Sequence, residues 1–191
     1  MAKIILASGS PRRKQLLEWA EVEFEICVQP TDEVILPHLS PAEAAIHIAE
    51  QKALAVQHFF KTPYTILAAD TIVVLDNQII GKPKDREDAI QILSLLSGRV
   101  HTVITGVVIL NGAEKITFSD ATDVEFHPLT PAQIAFYIDK YKPYDKAGAY
   151  AIQEWIGVTG IKRVNGDFYN VMGLPVSRVV QTLEKMRNFD A

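Results

Sequence analysis

Cysteine is almost missing from this chain: Cys27 is the single thiol among 191 residues. A lone cysteine excludes an internal disulfide. In the apolar-rich stretch Phe24 to Val28 it reads as a small buried apolar residue, which fits a reducing compartment. Long apolar runs are missing too. No stretch is long enough to span a membrane. The N-terminal run Ile4 to Ala7 is too short for a signal peptide, so a soluble, cytoplasmic protein is expected. Nor is there an excess of positive charge. Lys and Arg number 19 against 23 Asp and Glu, a net charge of -4. That balance argues against non-specific nucleic-acid binding and leaves room only for a local basic pocket. The chain has neither a GxxxxGK[ST] loop nor a GxGxxG turn, so ordinary ATPase and dinucleotide-binding readings lack their motifs. His38, His47, His58, His101 and His127 show no metal-ligand spacing with a cysteine or carboxylate. Trp19 and Trp155 read as packing residues.

What is present is 48% hydrophobic, enough for a sizeable core in one domain or two small lobes. There is no repeat, low-complexity tract or linker, and residues 1–191 read as a single domain. Strands and helices are mixed, as in α/β and α+β folds. Lys3 to Ala7 reads as a strand, Pro11 to about Ala20 as a helix, and Glu23 to Val28 as a second strand. Ser40-Pro41-Ala42-Glu43 is a capping box opening a helix to about Phe60. Tyr64 to Ala69 reads as a strand ending at Asp70. Ile72 to Leu75 and Gln78 to Gly81 form a hairpin about Asp76-Asn77. Asp85 caps a helix to about Leu96, with Gly98 just past its end. His101 to Leu110 is strongly β-prone and turns at Asn111-Gly112. The returning strand places Ile116, Phe118, Val124 and Phe126 on one face. Thr130-Pro131-Ala132-Gln133 is a second capping box, for a helix to about Lys140. Val176 to Arg187 is a closing helix. The long hairpin favours a mixed sheet with antiparallel pairs.

The chemistry begins at Lys3-Ile-Ile-Leu-Ala-Ser8-Gly9-Ser10-Pro11-Arg12-Arg13. An apolar strand ends in two serines around a glycine, and a helix starts at a proline with two arginines in its first turn. Ser10 can cap the helix and Pro11 suits its first position. Free N–H groups and the helix dipole favour an anion there, and the two guanidinium forks match phosphate oxygens. A well-capped helix with solvated arginines is the plainer alternative. Asp70 can hold Mg²⁺ or accept a proton from water, or it can simply start the hairpin. Lys52 falls inside the apolar helical face of Ala45, Ile48, Ala49, Val56 and Phe59. It either snorkels from that face or points into an anionic cleft. Lys82, fixed between Gly81 and Pro83, suits a phosphate as a point charge or is a loop lysine. Asp32-Glu33 is either solvated or, with another carboxylate nearby, a metal ligand. Asp145-Lys146-Ala147-Gly148-Ala149-Tyr150-Ala151-Ile152-Gln153 joins a charged pair to small residues. There Gln153 could read a base edge, because its amide both donates and accepts. Gly166 to Pro175 either walls a pocket or is a packed turn.

Taken together these segments resemble the Maf family of nucleoside triphosphate pyrophosphatases. The resemblance rests on Leu6-Ala-Ser-Gly-Ser-Pro-Arg-Arg13, Asp32-Glu33, Lys52-Ala53, Ala69-Asp-Thr71 and Gly81-Lys-Pro83. It continues through Leu95-Leu-Ser-Gly-Arg99 with His101, Thr105-Gly-Val107, Asp145 to Tyr150, Ile152-Gln153 and Asn170-Val-Met-Gly-Leu-Pro175. It implies a two-lobed α/β fold around a mixed sheet with flanking helices, similar to the ITPases, an active cleft between lobes, and a homodimer. The implied reaction converts a nucleoside triphosphate and water to monophosphate and pyrophosphate with Mg²⁺ or Mn²⁺.

By the same resemblance Asp70 matches the general base. Ser8, Arg12, Arg13, Lys52 and Lys82 match phosphate-binding positions, and Glu33, with Asp70, lies at the metal. Arg12, Thr71 and Gln153 match positions tied to substrate choice. The pattern is similar to the branch preferring dTTP and UTP, with a 7-methyl-GTP branch as the nearest rival. Ile46 to Gln51 departs from the arginine-leucine-alanine pattern before Lys52. Glu154-Trp155 stands where relatives often carry glycine, and Lys142-Pro143 where glutamate-proline is common. The last two flank the specificity region. A nucleotide-binding regulator of cell division is the contrasting reading.

Overall fold

The computed structural model describes residues 4–60 and 64–189, so the Lys3 end of the first expected strand lies outside the described residues. The chain forms two compact units. One comprises Met1–Asp70, Thr105–Asp120 and Gly173–Ala191; the other comprises Thr71–Ile104 and Ala121–Met172.

The first unit opens with strand β1 (Ile4–Leu6), helix α1 (Pro11–Trp19), strand β2 (Phe24–Ile26) and the long helix α2 (Pro41–Phe59). β3 (Thr65–Leu75) follows and carries the chain into the second unit. The second unit then adds β4 (Gln78–Ile80) and α3 (Arg86–Leu96). β5 (Val100–Asn111) and β6 (Glu114–Phe126) run out of that unit and back again. The second unit continues with α4 (Pro131–Tyr141), α5 (Trp155–Gly160), β7 (Ile161–Asn165) and α6 (Phe168–Met172). α7 (Val176–Phe189) closes the first unit. The strands hydrogen-bond in the order β2-β1-β3-β5-β6-β7, with β4 on β3. β1 is parallel to β2 (Ile4 opposite Phe24) and to β3 (Ile4 opposite Thr65). β4 is antiparallel to β3, and β7 to β6. The expected mixed sheet with flanking helices is therefore present, an α/β arrangement.

Local chemistry explains most element ends. Both capping boxes form. The Ser40 N–H donates to Glu43 Oε2 at 2.8 Å, and the Thr130 N–H to Gln133 Oε1 at 2.8 Å. Asp85 accepts from the Asp88 N–H at 2.8 Å at the start of α3. Asp76 and Asn77 take φ 49° and 64°, the left-handed pair that a tight hairpin turn needs. Four expectations change. Asp70 does not end a strand: β3 continues through it, because the following Thr71-Ile72-Val73-Val74 is β-branched throughout. The β5–β6 turn sits one residue later than expected, with Gly112 at φ 60° and Asn111 still in the strand. Phe59 and Trp19 are exposed, and Cys27 is only half-buried. α6 lies within the Gly166 to Pro175 stretch expected to wall a pocket or form a packed turn, and α5 and β7 occupy residues to which the sequence assigned no element.

The core of the first unit fixes where its polar side chains meet. Ala49, Ala53 and Val56 of α2 pack on Ile66 and Ala68 of β3, on Ile5 and Ala7, and on Val108 and Leu110 of β5. Small residues let the helix lie against the sheet. A Cβ on Gly106 would stand 2.3 Å from the Ile46 nitrogen and 2.4 Å from the Ala45 carbonyl carbon, so helix and strand touch backbone to backbone there. In the second unit His101 is buried and hydrogen-bonds through Nε2 to the Tyr150 hydroxyl at 2.7 Å. Its ring stacks on Phe126 at 5.4 Å. Burial lowers the His101 pKa from 6.5 to about 4, with Asp123 opposing the shift, and burial raises that of Tyr150.

Two predictions follow from this packing. Gly106→Ala should destabilise the fold by about 3 kcal/mol or more, since backbone on both sides must shift; urea unfolding measures it, and a loss under about 1 kcal/mol would contradict the close approach. His101 sets an acid limit. Between pH 6.5 and about 4 the unfolded chain binds a proton that the folded one excludes. Stability should therefore fall by about 3 kcal/mol as pH drops through that window and level off below it. The His101→Gln curve should lack this fall, so the wild-type-minus-variant difference curve should show it; a flat difference would contradict the assignment.

Candidate active site

β3 and α2 together place the central ion pairs. Along β3, residues 66, 68 and 70 share one face of the sheet. Ile66 and Ala68 of that set pack under α2, so Asp70 emerges next along the same face. On α2, Lys52 lies one residue before Ala53 and four before Val56, both in the packed stripe. The lysine that interrupts an apolar helical face thus meets the carboxylate that interrupts an apolar strand face. Its ammonium donates to Asp70 Oδ1 at 2.7 Å. The same nitrogen lies 2.7 Å from Glu33 Oε1. The Lys52 side chain is 16% exposed, Asp70 13% and Glu33 42%. The condition for Glu33 to act at a metal, a second carboxylate nearby, is met by Asp70.

The loop after β1 is closed by Arg13. Its Nε donates to the Gly173 carbonyl at 2.8 Å, and its Nη1 to Ser8 Oγ at 3.0 Å. Ser8 also accepts the Ser10 N–H at 3.3 Å. Ser10 takes the cap position of α1 but makes no side-chain cap, contrary to expectation, and Pro11 holds the first helical position as expected. Arg13 is therefore buried and partly committed to structure, whereas Arg12 is half-buried. Burial lowers the Arg13 pKa. The Asp70 and Glu33 carboxylates push it back up, and Arg12 pushes it further down. Arg12, Arg13, Glu33, Lys52 and Asp70 thus form one electrostatic group in the first unit. Among the described residues no cluster of three or more His, Cys, Asp or Glu is placed to hold a metal. The donor set on offer is two carboxylates. That suits Mg²⁺, which commonly takes one or two protein carboxylates and fills its remaining positions with phosphate and water.

Three candidate residues belong to the second unit. Thr71 is its first residue, half-buried on β3. Lys82 is exposed between Gly81, whose carbonyl accepts the Gly148 N–H at 3.1 Å, and the buried Pro83. Gln153 is exposed in the turn before α5, beside buried Ala151 and Ile152. Sequence reading missed the Tyr137 hydroxyl behind that turn and the pairing of Lys146 with Glu154. The buried Tyr137 hydroxyl accepts the Ala151 N–H at 3.1 Å and donates to Glu154 Oε2. Buried Lys146 pairs with Asp145 at 2.7 Å and with Glu154 at 3.7 Å. A tyrosine on the apolar stripe of a helix is usually plain core, so nothing in the sequence pointed to its hydroxyl.

The chain belongs to the Maf family: the model described as Maf-like protein matches residues 3–186. Proteins named dTTP/UTP pyrophosphatase are similar over nearly all of it. One from Cytophaga hutchinsonii is 50% identical over 185 residues, 97% of this chain and 84% of that protein. One from Bacteroides thetaiotaomicron is 43% identical, covering 96% of each. One from Bacillus cytotoxicus is 45% identical, covering 97% of this chain and 96% of that protein. Among the described residues no helix is long and apolar enough to cross a membrane.

Arg13 can be tested apart from chemistry. Arg13→Lys keeps the charge but cannot span both Ser8 Oγ and the Gly173 carbonyl. It should lower stability in urea by about 2–4 kcal/mol, as a buried charge-assisted link is lost. A change within about 0.5 kcal/mol would mean that these contacts do not hold the loop.

Proposed function

We propose that this protein hydrolyses nucleoside triphosphates to monophosphate and pyrophosphate, with dTTP and UTP as the preferred substrates. The observation that carries this reading is the Glu33–Lys52–Asp70 group, in a Maf-family chain 50% identical to one protein named dTTP/UTP pyrophosphatase. A water oxygen attacks the α-phosphorus as the bond to the α–β bridging oxygen breaks, and pyrophosphate leaves with that electron pair. Asp70 orients the water and takes its proton. Lys52 grips Asp70 through Oδ1, which leaves Oδ2 as the accepting oxygen. Glu33 and Asp70 would hold the divalent cation, Mg²⁺ or Mn²⁺, whose contribution is Lewis-acid neutralisation of phosphate charge. Ser8, Arg12, Arg13, Lys52 and Lys82 bind the phosphates, and preorganised charge of this kind supplies most of the barrier lowering. Arg12, Thr71 and Gln153 select the base. A cytoplasmic homodimer belongs to the same reading, from the family resemblance and the composition.

The test is a panel of dTTP, UTP, CTP, 7-methyl-GTP and ITP with Mg²⁺ and separation of the products. Monophosphate plus pyrophosphate, fastest from dTTP or UTP, is expected. The same products mainly from 7-methyl-GTP would move the chain to the rival substrate class. Nucleotide binding without turnover would favour the regulatory reading. Asp70→Asn should keep the fold and bind nucleotide while losing at least about 100-fold in kcat. Turnover close to wild type in that variant removes Asp70 as the base.

A further inference from the structure

The turn that carries Gln153 is held by two buried side chains of the second unit and by its own backbone. Tyr137, fully buried on α4, touches the turn on both sides of Gln153 with one hydroxyl: it accepts the Ala151 N–H at 3.1 Å and donates to Glu154. Lys146, buried, reaches Glu154 Oε1 at 3.7 Å. The turn is also closed on itself. The Glu154 N–H donates to the Ala151 carbonyl at 3.1 Å, and the Gly157 N–H to the Glu154 carbonyl at 2.9 Å. A Cβ on Gly157 would stand 1.7 Å from the Ile152 carbonyl oxygen, so only glycine permits this closure. The buried brace ends at one exposed amide side chain.

We infer that Tyr137, Glu154 and Lys146 are positioning residues for base selection: they lock the 151–157 turn so that the Gln153 amide is presented in one orientation. This rests on the reading of Gln153 as the base-contacting residue. The physical reason is that an amide can accept or donate to either side. Alone it recognises almost any base edge, and discrimination requires that its orientation be fixed before the nucleotide arrives. A side chain on a mobile turn re-orients to suit the wrong base, at little cost. A turn whose neighbouring backbone N–H and carboxylate share one buried hydroxyl leaves the wrong base with an unmatched donor or acceptor instead.

The experiment compares kcat and KM for dTTP and CTP in wild type, Gln153→Ala, Tyr137→Phe and Glu154→Gln. Amide exchange at Ala151 is measured in parallel. Gln153→Ala should lower the ratio of kcat/KM for dTTP over CTP about tenfold or more. Tyr137→Phe should lower it several-fold, chiefly through a raised KM for dTTP, with kcat within about threefold of wild type. Ala151 exchange should accelerate in the same variant. Glu154→Gln, which still accepts from Tyr137 but loses the charge facing Lys146, should fall between wild type and Tyr137→Phe. It also serves as the test if Tyr137→Phe does not fold. In the double variant with Gln153→Ala, Tyr137→Phe should change the ratio no further.

Faster Ala151 exchange with an unchanged base ratio overturns the inference while leaving the reading of Gln153 intact. An unchanged ratio in Gln153→Ala overturns both. Wild type inactive on every triphosphate removes the proposed function beneath them.

Discussion

The first unit depends on one ammonium group. Lys52 places a positive charge, 16% exposed, within 2.7 Å of two carboxylate oxygens. Withdrawing such a charge from water costs several kcal/mol, and mutual attraction repays that only when geometry is good and partners are close. Here the lysine has two partners, and Glu33, 42% exposed, keeps contact with water. The group is therefore tolerable where a fully buried pair would be marginal. Its geometry in turn requires the close seating of α2 on the sheet. Ala45, Ala49 and Ala53 are fully buried, and Gly106 lets the helix backbone reach the strand. Larger residues along that stripe would lift Lys52 away from Asp70.

Arg13 makes a different use of charge. Its burial would be costly without the Ser8 and Gly173 contacts and the nearby carboxylates. It converts a glycine-containing loop into a fixed one, tied to the residue where the chain re-enters the first unit before α7. Arg12, one residue earlier, is half-buried. Two adjacent arginines in one helical turn are thus not equivalent. Arg13 is buried in the loop it closes, and Arg12 keeps partial contact with solvent.

Much of the architecture was legible because its signals are local. Capping boxes at Ser40 and Thr130, the Asp76-Asn77 turn and the alternation along β6 need only neighbouring residues, and all are present. Lys52 was legible as an anomaly in a helical stripe. Its partners were not, since Glu33 and Asp70 lie 19 and 18 residues away and only the packing of α2 joins them. The apolar run Tyr64 to Ala69 stops at Asp70, so the continuation of the strand through a carboxylate paired with Lys52 does not show in the local pattern. β7 escaped notice for a geometric reason. An irregularity at Glu125/Phe126 puts Phe126 opposite Ile161 but Glu125 opposite Arg163, so Ile161 and Val164 are both half-buried and simple alternation fails. α5 and α6 are too short for periodicity to register.

The contrast between the two kinds of site residue has a general cause. Charge neutralisation of a polyphosphate acts over several ångströms and tolerates small displacements, so residue type and rough position carry most of the information. Base discrimination by an amide depends on hydrogen-bond angle and on what is left unmatched when the base is wrong, so it is decided by backbone placement. In this chain that placement is made by Tyr137 and Lys146, which come from separate segments and meet Ala151 and Glu154 of the turn only after folding. A substitution at any of them alters no charge or group that the nucleotide is proposed to meet. Two Maf chains with the same phosphate-binding residues can therefore differ in base preference through residues that bind nothing themselves.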